Sequence, residues 1–77
     1  YNKVNELVSE RAKFYKEEIQ RLKLEKIPFD VNLKYESSPQ EQKNIRKEIE
    51  RIDKNIDNNQ RKVEEIRHAC ELEVKVN

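Results

Sequence analysis

The chain has no glycine, no methionine, a single cysteine, a single histidine and two prolines in 77 residues. Without glycine there is no ready material for phosphate-cradling loops, tight hairpins or left-handed helix caps, all of which use its tolerance of positive φ. One cysteine permits no internal disulfide and is compatible with a reducing cytoplasm, the compartment expected here. No apolar run approaches the length needed to span a bilayer, and no signal-peptide pattern opens the sequence. With Tyr1 first and methionine absent throughout, the chain reads as a segment of a longer protein.

A dominant sign of charge is lacking as well. Seventeen basic and sixteen acidic side chains give a net charge of +1, and the signs are interspersed, which argues against a dedicated phosphate-binding face. Only 34% of residues are apolar while 43% are charged, too few to fill a conventional core at this length. What is present is the composition of long helices, rich in Glu, Lys, Arg, Ile and Leu.

The strongest pattern runs from Ile45 to Cys70. As a heptad it places Ile49, Ile56, Val63 and Cys70 at a, and Ile45, Ile52, Asn59 and Ile66 at d, with mostly charged or amide residues between. That is a narrow seam made for another helix. Asn59, the one polar seam residue, either fixes register or is a tolerated break. A weaker seam precedes it, with Val8, Tyr15 and Leu22 at d and Ala12 and Ile19 at a.

The spacings predict a helix over 2–26, ended by Pro28, a connector over 27–38, a second helix over 39–70 and an extended tail over 71–77. Phe29, Val31, Leu33 and Tyr35 alternate with polar residues, as do Leu72, Val74 and Val76, so both stretches read either as strands or as extended linkers. Ser38, Pro39 and Glu41 have the order of an N-cap, a first helical residue and a capping-box acid, which sets the start of the second helix.

Two partners suit the seam. Antiparallel pairing within the chain sets Leu22 opposite Ile49, Ile19 opposite Ile52, Tyr15 opposite Ile56, Ala12 opposite Asn59, Val8 opposite Val63 and Asn5 opposite Ile66. Its centre then falls between Tyr35 and Glu36, inside the connector, and Lys16 meets Asp53 at the edge. Copies associating in parallel as a dimer or trimer are the alternative. The fold class expected is therefore all-α, a two-helix antiparallel coiled-coil hairpin with an extended or β connector and an extended C-terminal tail.

Chemistry finds little purchase. His68 and Cys70 are two residues apart, point in directions differing by about 200° on a helix, and do not converge on one ligand. His68 falls at the exposed f position and Cys70 in the seam. Carboxylates alternate with bases at helical spacing, as in Glu17 with Arg21 and Glu50 with Lys54, the pattern of solvated faces. No catalytic residue, cofactor or metal is expected, and the function expected is non-enzymatic: protein interaction, self-association or spacing. A helical effector of a small GTPase is an alternative within that class. From another class, a nucleic-acid-binding arm like that of seryl-tRNA synthetases would use Lys23, Lys26, Lys34, Lys43, Arg46 and Lys47 near the turn, but Glu25, Asp30, Glu36, Glu41 and Glu48 lie among them.

Residues Pro39 to Asp57, P-Q-E-Q-K-N-I-R-K-E-I-E-R-I-D-K-N-I-D, carry a resemblance. With Pro39, Glu41, Gln42, Lys43 and Ile45 opening a long helix, this stretch resembles the conserved helical regions of specificity subunits of type I restriction-modification systems. The resemblance covers about a quarter of the chain. It implies an antiparallel coiled coil that holds two target-recognition domains apart and docks methyltransferase subunits. The family's Pro-Leu-Pro-Pro lead-in is replaced here by Tyr35-Glu36-Ser37-Ser38.

Overall fold

The computed structural model describes residues 3–76, the side chain of Val76 excepted, and is all-helical. Three helices follow one another: α1 (Lys3–Arg11), α2 (Lys13–Tyr35) and α3 (Pro39–Val76). Both α1 and α2 pack on α3, which folds back along them. The molecule is a rod of 58 × 17 × 15 Å with a Cα radius of gyration of 17.2 Å, against about 11.5 Å for a compact globule of this length. At about 1.5 Å per residue, α3 alone accounts for nearly all of the long dimension.

The first expected helix is divided at Ala12, whose φ of −101° and ψ of 9° depart from helical values. Hydrogen bonding nevertheless bridges the division. The Ala12 amide donates to the Val8 carbonyl (2.8 Å), and the Lys16 amide donates to the Ala12 carbonyl (2.9 Å). This irregularity coincides with the tightest burial in the chain: Val8, Ala12 and Cys70 are each fully enclosed and form one cluster, flanked by Val4, Leu7, Val63 and Ile66.

Pro28 does not end the helix as expected. It lies inside α2, which continues to Tyr35, so the stretch over 29–35 is helical rather than extended, and no strand occurs among the described residues. Within a helix, Phe29 and Leu33 continue the spacing of Ile19, Leu22 and Lys26 in steps of three and four, and both are half-buried. Their burial, worth roughly half of about 1.5–3 kcal/mol each, offsets much of the ~3 kcal/mol that an interior proline costs. A solitary strand would have had no partner for its backbone groups.

The tail is likewise helical. Leu72 and Val74 belong to α3, which runs six residues beyond the expected end; Asn77, like Tyr1 and Asn2, lies outside the described residues.

The connector thus shrinks from the expected 27–38 to Glu36, Ser37 and Ser38. Glu36 closes α2 by donating its amide to the Asn32 carbonyl (2.9 Å) and leaves the helix in an extended conformation, φ −78° and ψ 128°. Its carboxylate accepts from the Ser38 amide (3.0 Å), and its carbonyl accepts from Gln42 Nε2 (2.6 Å). The Ser38 amide that a capping box would give to Glu41 goes instead to the Glu36 carboxylate, and Glu41 is exposed while Gln42 is half-buried. No described residue has a positive φ, so the turn is built without the conformations that call for glycine.

Candidate functional site

The candidate site is the seam itself. Of its thirteen predicted members, Val8, Ala12, Ile19, Leu22, Ile52 and Cys70 are buried, and Tyr15, Ile45, Ile49, Ile56, Asn59, Val63 and Ile66 are half-buried. None of the thirteen is exposed. The spacing that they share is that of the heptad, three and four residues apart on each helix, and Ile52, at 1% exposure, is the most enclosed of its isoleucines.

Their register matches the expected one in part. Val8 lies in one cluster with its expected partner Val63, and Asn5 bonds Arg67, one residue from its expected partner Ile66, but Ala12 belongs to the cluster that holds Cys70, and nearer the turn Lys26 rather than Lys16 meets Asp53. Once α2 runs to Tyr35 and α3 starts at Pro39, the centre of the turn moves to Ser37. Asn59 turns to its own helix, donating Nδ2–H to the Asn55 carbonyl (2.8 Å) rather than reaching across. Its amide N–H is thus satisfied locally.

Polar contacts join α3 to the helices before it. Arg11 donates to both Glu73 carboxylate oxygens (2.5 and 3.3 Å) and lies 3.9 Å from Cys70 Sγ, covering the buried cluster from outside. Arg67 Nη1 donates to Asn5 Oδ1 at 3.0 Å. Lys26 Nζ lies 2.9 Å from Asp53, so Asp53 is taken by Lys26 and not by Lys16 as expected. The hydrogen bond between Arg11 and Glu73 raises the guanidinium and lowers the carboxyl relative to their ordinary values. Lys26 is raised chiefly by its hydrogen bond to Asp53, against partial desolvation. Sequence spacing missed the Arg11–Glu73 pair because Glu73 stood in the segment read as an extended tail.

Elsewhere the charges pair along single helices. Arg21 bridges Glu18 (2.6 Å) and Glu25 (2.7 Å), Arg51 binds Glu48 (2.9 Å), and Arg61 binds Asp57 (3.0 Å). These exposed pairs add little stability individually. The bond from Arg21 holds the Glu18 carboxyl below its ordinary value.

His68 is exposed and Cys70 buried, so the structure does not bring them together. Among the described residues, no group of three or more His, Cys, Asp or Glu side chains is placed to hold a metal ion, and no helix is long and apolar enough to cross a membrane. Lys43, Arg46 and Lys47 line an open groove between α2 and α3, but Asp30, Glu50 and Asp53 line it too, over Leu33 and Ile49. No family model matches this chain, and no curated protein or solved structure is significantly similar to it.

Proposed function

We propose that this chain is a non-enzymatic coiled-coil hairpin, a cytoplasmic module that spaces, oligomerises or presents a surface to a protein partner. One observation carries the reading: every member of the heptad-spaced seam is buried or half-buried, along a rod three times longer than it is wide. A narrow seam with charged residues around it stabilises a defined length and leaves the outer faces open to partners. A particular form of the reading comes from the resemblance of Pro39 to Asp57: a spacer between the target-recognition domains of a type I restriction-modification specificity subunit. Such domains would flank this chain in the full-length protein, and the flanking sequence tests that form directly.

The seam is tested with Ile52→Asp. A carboxylate at a position 1% exposed has no cationic partner in the seam, and burying it unpaired costs more than a chain this small has in reserve. The variant is expected to lose most of its helical circular dichroism at 25 °C. If it stays helical and monomeric by light scattering, the hairpin reading fails. If the wild type is helical only as a higher oligomer, association of copies replaces pairing within the chain.

A further inference from the structure

The side of α2 that faces away from α3 is apolar over its last three turns. Ile19, Leu22, Lys26, Phe29 and Leu33 point inward. At about 100° per residue, Leu24, Ile27, Pro28, Val31 and Tyr35 fall within one stripe on the opposite side. Their exposures are 67% for Leu24, 53% for Ile27, 49% for Val31 and 77% for Tyr35, and Pro28 is exposed as well. In a chain that is 43% charged, five apolar neighbours on one outer face are not the scattered surface apolars of an ordinary protein. Toward the N-terminus the same face turns polar at Lys13, Glu17 and Gln20, which line a shallow depression. The stripe therefore has a defined length, about 18 Å for the twelve residues from Leu24 to Tyr35.

Its two edges differ electrically. On one edge Arg21 is held by both Glu18 and Glu25, so that edge carries no unbalanced positive charge. On the other, Lys16, Lys23 and Lys34 enter no ion pair among the described residues. Asp30, the nearest carboxylate to that edge, acts on Lys26 and lines the groove against α3. Pro28 adds a further feature: with no amide at that position, the Leu24 carbonyl lacks the donor four residues on that a helix supplies.

We propose that this outer face of α2 docks an amphipathic helix of another protein, one whose apolar stripe is bordered on a single edge by Asp or Glu. The inference rests on the interaction-module reading above and names its surface and its partner's chemistry. Apolar side chains from the partner cover Leu24, Ile27, Val31 and Tyr35, and its acidic edge lies along Lys16, Lys23 and Lys34. A second copy of the chain fits less well. Antiparallel pairing of two such stripes brings the lysine edge of one against the lysine edge of the other, with Lys23 against Lys34 of the copy, like charges facing each other. An anionic membrane would attract the lysine edge but repel Glu17, which lies on the same face.

The test uses the 77-residue chain and two labelled helical peptides of about 20 residues, each with a leucine stripe. One peptide carries Glu along one edge and the other carries Lys there. Fluorescence anisotropy at low salt is expected to show the Glu-edged peptide binding about tenfold more tightly than the Lys-edged one. Val31→Asp, at an exposed position, should abolish binding while leaving the circular dichroism and melting curve unchanged. Lys23→Glu with Lys34→Glu should invert the preference between the peptides. Equal affinity for both peptides, or binding indifferent to Val31→Asp, overturns the proposal. So does Val31-dependent dimerisation in sedimentation, or Val31-dependent binding to phosphatidylcholine–phosphatidylserine vesicles, without peptide binding. Failure of the underlying hairpin is separately visible, as a wild-type chain that is not helical and monomeric before any peptide is added.

Discussion

At the residue scale, the cross-helix pair of Arg11 and Glu73 makes stability depend on acid. The Arg11 guanidinium holds the Glu73 carboxyl below the ordinary 4.5, so the folded state binds that proton less readily than the unfolded one. By linkage, the contribution of this pair is complete above that ordinary value and is lost as pH falls through the lowered one. Glu18, lowered by Arg21, acts in the same direction. Lys26 has the opposite sign: raised above its ordinary 10.5, it contributes below that value and loses its contribution as pH rises through the folded one. Thermal melts from pH 7 to 3 should show Tm falling with acid, and Glu73→Gln should lower Tm at pH 7 while flattening the acid slope. An unchanged slope would mean that the pair contributes nothing. Both groups are exposed, so the effect weakens with salt.

At the element scale, α2 carries the sharpest conflict between local preference and tertiary packing. Pro28 removes one amide from the ladder and stands where helix propensity is lowest, yet the helix continues for seven residues beyond it. Pro28→Ala is expected to stabilise the chain by about 1–2 kcal/mol, less than the full ~3 because alanine also frees the unfolded chain. Urea denaturation followed by circular dichroism measures it, and a loss of stability would place the end of the helix at residue 27 after all. The continuation was readable in the sequence. Phe29 and Leu33 extend the three-four spacing of Ile19, Leu22 and Lys26, but the same residues also alternate with polar neighbours, and the weight given to Pro28 as a stop decided for the extended reading. The tail misled in the same way through Leu72 and Val74. By contrast, the Ile45 to Cys70 seam has no competing period, and its residues are all buried or half-buried. The division at Ala12 left no trace in the sequence, since neither glycine nor proline marks it; it is visible only with the burial of Val8, Ala12 and Cys70.

At the scale of the whole molecule, the connector's length sets where the turn is centred. Residues Glu36, Ser37 and Ser38 are the only ones between the two long helices, and they sit near the midpoint of the chain. This arrangement orders the way in which the rod is made. Leu33 and Ile49, which line the same groove near the turn, are 16 residues apart in sequence, whereas Val8 and Cys70, at the opposite end, are 62 apart. Closing the larger loop first would cost about 1.2 kcal/mol more in chain entropy than closing the smaller one. Contacts therefore spread outward from Ser37, and the best-buried cluster forms last. In stopped-flow experiments, Leu33→Ala and Ile49→Ala should chiefly slow folding, while Val8→Ala should chiefly speed unfolding. The reverse partition would mean that the distal cluster nucleates. With this order the cluster at Val8, Ala12 and Cys70 works as a latch, closed after the helices have zipped together and open first when they part.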